Sequence, residues 1–433
     1  MRERAPGGRV AATASTYGAA VAVGVLGLAN ALVVARALGP TGRGQIAFIV
    51  AVAALTARLS TLGIEQANAN FGGREPETRS ALATNSAVFA AGAGAMAFVV
   101  LELIARLAPG AVPGGELGAI GIATVPLLIL ATQLDMLVRA EYATNVANAA
   151  WIAGPVVTLT ANGVLFAGNL LSVRLAVATW MAGQAASLAL LVWYLLARGS
   201  GFGRPSVHLA RRSLRLGIQS YIGGVFGLGN ARLDQWLLGA ISGPRALGLY
   251  SVAVAWSETL FYLPTAIVAV QRPDLVRAAP DDAARQTAIG FRLAAALTLP
   301  AAAVVVVAAP QLCTGIFGNA FHDSALDLRI LVIGTFGITG LKLLGNALIA
   351  QGRPLRQTAS VGVAFTVTAI LDVALIPLYA DLGASIAAAV AYSCGGLAAA
   401  AIFARTFGCG RRELVPHASD LAVLWQRLRP ARA

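Results

Sequence analysis

The sequence predicts an all-α, multi-pass integral membrane protein with about twelve transmembrane helices, and three observations lead to that prediction. Of the 433 residues, 58% are hydrophobic and 12% are charged, with a mean hydropathy of +0.74. That composition lies outside the usual range of soluble domains. The apolar residues form stretches of about 20 residues, the length that a helix needs to cross a bilayer. A glycine-proline motif occurs twice and divides these stretches into two sets of six.

The apolar stretches define twelve predicted spans, numbered in chain order. The first six are 11–35, 44–67, 81–105, 117–138, 145–168 and 175–197. The second six are 216–242, 246–270, 286–310, 325–349, 357–379 and 382–404. The first stretch follows several arginines, as a secretory signal does. It is too long for a signal peptide and leads directly into another span, so we expect it to remain as the first helix.

The repeated motif joins the first and second spans of each set. The segment "GPTGRG" at 39–44 has its counterpart in "GPRALG" at 243–248, with the glycine, proline and second glycine at the same positions. An even number of spans per set gives both halves the same orientation. Parallel repeats of this kind are one common plan of secondary transporters, with the substrate site at the repeat interface. We therefore predict an N-terminal lobe at 1–198, a cytoplasmic linker at 199–215, a C-terminal lobe at 216–404 and a basic cytoplasmic tail at 405–433.

The distribution of arginine predicts the orientation of these spans. If the N-terminus is cytoplasmic, most arginines fall in inner loops and tails. Only five are expected in outer loops, namely Arg36, Arg43, Arg106, Arg174 and Arg245. Since cytoplasmic loops carry an excess of basic residues, we expect both termini in the cytoplasm. The net charge of +13 then reflects orientation and contact with anionic membrane lipids, not nucleic acid.

Sequence motifs for catalysis and for metal or nucleotide binding are missing. The three cysteines and three histidines show no metal-ligand spacing. Neither a Walker pattern nor a GxSxG or HExxH motif is present, and no strand precedes "GPTGRG" as a dinucleotide site requires. We expect no catalytic residue, cofactor or metal. A membrane-embedded glycan ligase or polymerase is disfavoured, because the longest predicted outer loop, near 311–324, is short.

Five charged residues lie deep in the predicted spans. They are Arg58 in span 2, Arg232 and Asp234 in span 7, Glu258 in span 8 and Lys342 in span 10. A charge at the bilayer centre costs about 2.5–3.5 kcal/mol on insertion scales, so such residues usually face a polar cavity or form a pair. Lys342 is the only lysine among 32 basic residues. Each of the five is a candidate ligand-binding residue or a member of an interhelical ion pair. Six other charges lie nearer to span ends and are expected to reach the headgroups: Glu65, Asp135, Arg292, Asp327, Arg329 and Asp372.

Helical spacing predicts which faces these polar residues share. In span 2, polar residues recur at three- and four-residue steps and form one stripe, which we expect to face the central cavity. The stripe consists of Arg58, Thr61, Glu65 and Asn68. In span 7, Asn230 and Asp234 share one face, whereas Arg232 and Trp236 lie nearly opposite. We therefore expect one of Arg232 and Asp234 to pair with a neighbouring helix.

Two stretches resemble the polysaccharide-export flippases of the multidrug/oligosaccharidyl-lipid/polysaccharide (MOP) superfamily. They are "VVARALGPTGRGQIAFIVAVAALTARLSTLGIEQA" at 33–67 and "RLDQWLLGAISGPRALGLYSVAVAWSETLFYLP" at 232–264. Both contain an arginine and a Gly-Pro turn, and the second adds a Gly-x-Tyr, an acidic residue and a Leu-Pro pair. The likeness extends loosely over all twelve spans.

The resemblance implies two six-helix lobes around a V-shaped cavity, and alternating access in a bacterial cytoplasmic membrane. It also implies a lipid-linked oligosaccharide substrate and a polysaccharide polymerase or ligase as a partner. A cationic cavity suits the diphosphate of such a substrate, and Arg58, Arg232 and Lys342 lie at comparable depths. The acidic Asp234 and Glu258 depart from that pattern. The alternative is a cation-coupled drug exporter of the same superfamily, in which these two carboxylates serve as cation or proton sites and the arginines are structural.

Overall fold

The computed structural model describes residues 6–415, and within that range it contains α-helices and short helical turns but no strand. The helices are α1 (Pro6–Ser60), α2 (Ile64–Arg74), α3 (Arg79–Leu107), α4 (Gly115–Ala140), α5 (Thr144–Ala167), α6 (Val173–Ala197), α7 (Val207–Ile241), α8 (Gly243–Thr259), α9 (Tyr262–Arg277), α10 (Pro280–Pro310), α11 (Ser324–Ala350) and α12 (Pro354–Phe407). A π-helical turn follows α10 at Gln311–Phe317. Most of the predicted basic tail, and the first arginines of the chain, lie outside the described residues.

The helices and the predicted spans correspond, but not one to one. Helix α1 holds spans 1 and 2 joined at a kink at Gly39, and α12 holds spans 11 and 12 joined at a kink at Ala380. Span 8 is divided between α8 and α9, and α2 extends span 2 beyond a break. In the described part of the chain, nine helical segments are long and apolar enough to cross a membrane, and two of them are long enough to cross twice. The prediction of an all-α, multi-pass membrane protein is confirmed, and about twelve crossings are compatible with it.

The two glycine-proline motifs bend the chain in the same way and contact each other. Gly39 and Gly243 both have positive φ, at 65° and 85°, a conformation that L side chains rarely adopt. A Cβ on Gly44 would lie 1.6 Å from a backbone oxygen in the second motif, and one on Gly248 would lie 1.9 Å from a backbone oxygen in the first. Reciprocal contacts between equivalent residues are what a local two-fold axis produces.

Cα packing divides the chain into two compact units, one up to Ser251 and one from Val252. In the first, leucines of α3, α4 and α6 form a dry core that includes Leu82, Leu134 and Leu195. In the second, α9, α11 and α12 meet around Leu344 and Phe403. Within a bilayer such cores hold together by close packing, since lipid is as apolar as leucine. The lobes at 1–198 and 216–404 remain a prediction. Their bounds were drawn from the sequence repeat, whereas the two units are defined by packing.

The segment predicted as a linker is more ordered than a loop. Helix α7 begins at Val207, so the second half of 199–215 is helical. The first half is tied to α3, since Thr84 Oγ1 donates to the carbonyl of Gly203 at 2.7 Å and Asn85 exchanges two hydrogen bonds with Ser206. Helix α7 is thereby attached to the first unit.

Three of the charges expected to reach the headgroups do not do so. Glu65, Asp327 and Asp372 are 3%, 1% and 0% exposed. Ser385 Oγ of α12 donates to Asp327 at 3.0 Å, so this carboxylate packs between helices. The expectation from depth alone was wrong for these three residues, because the packing of the helices encloses their carboxyl groups inside the fold.

Candidate functional site

Span 2 is interrupted beside Arg58. Helix α1 ends at Ser60, Leu62 and Gly63 have φ values of 49° and 74°, and α2 begins at Ile64. A Cβ on Gly63 would lie 2.3 Å from the carbonyl oxygen of Gly217 in α7. Only a glycine fits this close approach of two backbones. The single helical stripe predicted from span 2 is therefore wrong, because the break turns the chain between its members.

The stripe residues nevertheless meet across the break. Arg58 Nη1 lies 2.7 Å from Glu65 Oε1, and the Glu65 side chain is buried whereas that of Arg58 is 31% exposed. Thr61 Oγ1 donates to the carbonyl of Arg58. Among the described residues, the second carboxylate oxygen of Glu65 has no hydrogen-bond partner. Arg58 thus holds one carboxylate and still presents part of its guanidinium.

Asn68 does not belong to this polar group. Its side-chain amide donates to Ser86 Oγ of α3 at 2.9 Å and to the carbonyl of Gln133 in α4 at 3.1 Å. Asn68 is fully buried, and these bonds hold α2 against two neighbouring helices. We therefore assign Asn68 to packing and not to a site.

Span 8 is also interrupted, beside Glu258. Helix α8 ends at Thr259 and α9 begins at Tyr262. Lys342 Nζ of α11 donates to Thr265 Oγ1 at 2.7 Å and lies 5.7 Å from the centre of the Phe261 ring. The charge of Glu258 is close enough to act on Lys342. The ammonium group of Lys342 therefore lies beside this break, held by a hydroxyl and an aromatic ring.

The two breaks occupy corresponding positions of the two halves. Thr61 and Thr265 are related by the same offset as Gly39 and Gly243. Thr61 lies in the interruption of span 2, and Thr265 lies in the first turn of α9, just after the interruption of span 8. Thr61 Oγ1 donates to the backbone carbonyl of Arg58 beside the first break, and the ammonium group of Lys342 donates to Thr265 Oγ1 beside the second. In secondary transporters, discontinuous helices at matching positions of two repeats mark the binding site.

In α7 the two charges are separated as their spacing predicts. Asp234 is 3% exposed and accepts a hydrogen bond from the hydroxyl of Tyr250 in α8. On the opposite face, the indole nitrogen of Trp236 donates to the carbonyl of Ala111 at 2.8 Å. Asp234 is thus the residue that pairs with a neighbouring helix, and its bond links α7 to α8. Arg232 forms no hydrogen bond or ion pair with any residue that the structure describes.

Arg43 is a residue that the sequence placed wrongly. It was expected in an outer loop, but it lies in α1, four residues beyond the kink at Gly39, and is half-buried. Its Nε is buried and has no hydrogen-bond partner among the described residues. Arg232 is close enough for its charge to act on it. The sequence contains a signal for this position, because a proline often begins a helix and the residues after it then lie in the first helical turn.

The family model described as "Polysaccharide biosynthesis protein" matches residues 33–326, about two thirds of the chain. Both stretches that carried the resemblance lie within this range, so the predicted resemblance is confirmed. No curated protein sequence matches the chain.

Solved structures of MOP-superfamily transporters share the fold. The lipid II flippase MurJ, in an inward-closed conformation, aligns with a TM-score of 0.72 at 12% identity, over 92% of this chain and 88% of that one. An inward-facing multidrug resistance transporter of the MATE family gives 0.65 at 14% identity, over 91% and 94%. A MOP superfamily transporter from Pyrococcus furiosus gives 0.63 at 14%, over 92% and 95%. At these identities the likeness is one of fold alone.

Proposed function

Because the chain belongs to the polysaccharide biosynthesis protein family, we propose that it is a flippase for an isoprenoid-diphosphate-linked oligosaccharide. The substrate's headgroup moves from the cytoplasmic to the outer leaflet by alternating access. The fold is that of a MOP-superfamily transporter, which suits this activity. The cytoplasmic membrane of a bacterium is the proposed location, with both termini inside and a glycan polymerase or ligase as the proposed partner.

The physical problem that such a protein solves is the passage of a charged headgroup. A diphosphate-sugar cannot enter about 30 Å of hydrocarbon without a polar path. The isoprenoid tail can remain in the bilayer while the headgroup moves. What the protein must supply is a set of cations that replace the water around the phosphate oxygens. Arginine suits this task because its planar fork holds two oxygens at once.

The observation that carries the proposal is the cation at each helix break. Arg58 lies beside the break of span 2 with a third of its side chain exposed, and it can accept a second anion beside Glu65. Lys342 lies at the break of span 8, where its bond to Thr265 occupies one of its three donors. In secondary transporters, the unwound backbone at a helix break adds further polar contacts to the substrate site.

The alternative is a cation-coupled exporter of drugs or other small molecules. It would use Asp234 and Glu258 as cation or proton sites. MATE transporters, which share the fold, show that this architecture occurs in multidrug resistance transporters. The contacts of these two carboxylates favour the exporter less than the flippase. Asp234 is buried and bonded to Tyr250, and Glu258 lies within the field of Lys342, which competes with a bound cation.

A transport assay with two substrates separates the two functions. Liposomes containing the protein are loaded with a fluorescent isoprenoid-diphosphate oligosaccharide, and its exposure to a membrane-impermeant reagent is followed over time. The flippase predicts exposure that depends on the protein. The exporter instead predicts no exposure of this lipid, together with efflux of a cationic dye that a cation gradient drives and that Glu258→Gln abolishes.

A further inference from the structure

The loop between α3 and α4 is partly inserted among the helices. Residues 108–114 of this loop, named the outer strap here, are exposed at both ends, but Val112 between them is only 5% exposed. Val112 packs in a buried cluster with Val52 of α1 and Leu101 of α3. A single apolar side chain therefore anchors the outer strap to the helices.

Trp236 of α7 fastens the outer strap. Its indole nitrogen donates to the carbonyl of Ala111, next to Val112, at 2.8 Å, and its ring packs against the same cluster. Because Trp236 lies in span 7, this bond joins a loop of the first half of the sequence to a helix of the second half. An N–H···O bond is normally about 2.7–3.2 Å long, so a small movement of α7 breaks it.

Two close helix contacts lie at the same end of these spans. A Cβ on Gly239 of α7 would lie 2.4 Å from Phe48 Cδ2, so the ring of Phe48 in α1 fits only against a glycine. The other contact is that of Gly44 in α1 with Gly248 in α8. Trp236 precedes Gly239 by less than one helical turn. The outer strap, α7 and α8 are thus all held against the first half at the end that the proposed orientation places outside.

The anchor of the outer strap is not packed on all sides. An apolar crevice with about 240 Å³ of empty space borders Val112, and Ile49, Val52 and Ile122 also line it. Segments with few packed neighbours and exposed backbone open at low free-energy cost. Lifting the outer strap therefore unpacks little more than the Val112 side chain and breaks the bond to Trp236.

We infer that the outer strap is a gate, which Trp236 holds shut in this structure and which opens when the outer ends of α7 and α8 leave α1. The inference rests on the alternating access of the proposed function, in which the headgroup leaves on the outer side. Tyr250 of α8 donates a hydrogen bond to Asp234 of α7, so the two helices are linked close to Trp236. Once α7 has moved, the indole loses its acceptor and the outer strap lifts.

Thiol labelling of Val112→Cys measures the opening of the outer strap. The full-length protein, with its three native cysteines replaced by alanine, is reconstituted in liposomes and treated with a membrane-impermeant maleimide. A cysteine at this buried position reacts only while the strap is lifted. Trp236→Phe keeps an aromatic ring but loses the N–H donor, so labelling should be about two- to tenfold faster. Trp193→Phe, at an exposed tryptophan of α6, should leave the rate unchanged.

A second variant distinguishes a gate from a loop that is merely loosened. Gly248→Ala pushes α8 away from α1, and the nearest atoms that its methyl group would meet belong to Pro40 and Gly44, not to the outer strap. A gate predicts faster labelling of Val112→Cys in this variant too. A loop that opens independently of α7 and α8 predicts no change.

The matched control for this second variant is Gly183→Ala. Its Cβ would lie 2.6 Å from the carbonyl oxygen of Gly154, in a crowded contact of α5 with α6 inside the first half. It should leave the labelling of Val112→Cys unchanged. Ala108→Cys, exposed in the same strap, reports the access of the reagent and should react at one rate in every variant. Gel filtration and circular dichroism establish that each variant is folded at the temperature of labelling.

Three results would overturn the inference. Two of them are an unchanged labelling rate in folded Trp236→Phe and an unchanged rate in folded Gly248→Ala. The third is an equal acceleration in Gly183→Ala, because labelling would then report lower stability and not a gate.

The labelling needs no substrate, so its outcome is separable from that of the proposed function. If the lipid-linked oligosaccharide is translocated but labelling is independent of Trp236 and Gly248, the gate is wrong and the flippase stands. If both residues control labelling but no lipid-linked oligosaccharide moves, the gate stands and the flippase is wrong.

Discussion

Gly44 and Gly248 occupy equivalent positions in the two halves of the chain, and their backbones are in contact. A Cβ built on Gly44 would lie 2.8 Å from the amide nitrogen of Gly248, and one on Gly248 would lie 3.1 Å from that of Gly44. Each would also overlap the proline carbonyl of the opposite motif, at 1.6 and 1.9 Å. The glycine-proline motif therefore occurs twice because it serves both as a bend and as a contact surface between the repeats.

Gly44→Ala should destabilise the protein strongly. The new methyl group would meet backbone atoms, which cannot rotate away as a side chain can. Overpacking typically lowers stability by about 1–3 kcal/mol. Because the methyl group would meet backbone atoms, we expect Gly44→Ala to cost the upper end of that range or more. The thermal unfolding temperature of the purified protein measures the effect. Gly27→Ala is the control in the same helix, because nothing lies within 4 Å of its Cβ position. It should be neutral or stabilise α1 by up to about 1 kcal/mol.

Glu65→Gln should strengthen anion binding, whereas Arg58→Gln should weaken it. In wild type the carboxylate of Glu65 competes with an anion for the guanidinium of Arg58, at 2.7 Å. Removing the negative charge leaves Arg58 as a free cation beside the helix break. The affinity for inorganic diphosphate, measured by calorimetry, should therefore move in opposite directions in the two variants. Equal losses in both would show that the pair only holds α1 and α2 together.

A bound substrate should protect Lys342 from amine-reactive reagents. Lys342 is the only lysine in the chain, so its modified peptide identifies the site without further mutation. An isoprenyl diphosphate that binds at the break of span 8 would cover Nζ, which otherwise bonds only to Thr265 among the described residues. The labelling rate, followed by mass spectrometry, should fall in proportion to occupancy. The N-terminal amine is the internal control, and equal protection of both amines would contradict the assignment.

The ion pair between Glu75 and Arg212 should make stability depend on pH in the acidic range. Arg212 hydrogen-bonds Glu75 at 2.8 and 3.2 Å, and these bonds lower the pKa of the Glu75 carboxyl below its ordinary value of 4.5. The stabilisation is present above the ordinary pKa and is lost as pH falls through the lowered value. Thermal unfolding should favour wild type over Glu75→Gln at pH 7, and the difference should shrink as the pH falls below the ordinary value of 4.5. A difference that is the same at every acidic pH would contradict the ion pair as its cause.

The sequence predicts the helical membrane fold because hydropathy depends only on composition along the chain. The same holds for the glycine-proline bends, whose backbone conformation is a local property of glycine and proline. Helical spacing in the sequence also predicts that Arg232 and Asp234 lie on different faces, because both residues belong to one uninterrupted helix, α7.

Hydropathy and local residue properties do not predict the break in span 2. Leu62 and Gly63 turn there because α7 brings the backbone of Gly217 against them. The residues of span 2 alone do not indicate this contact, because Gly217 belongs to the second half of the sequence. The burial of Asp327 has the same cause, since its partner Ser385 lies 58 residues away in α12. Long-range contacts of this kind decide which charges are paired and which remain for a ligand.

In the proposed function, the cations at the two helix breaks carry a diphosphate headgroup across the membrane. The most direct measurement is the initial rate of headgroup exposure in liposomes for wild type, Arg58→Gln, Lys342→Gln and the control Arg174→Gln, whose exposed ion pair with Glu116 lies on the surface. We expect wild type and the control to translocate the lipid-linked oligosaccharide at similar rates. Each break variant should be slower by about tenfold or more. Translocation at the wild-type rate in both break variants would contradict the claim.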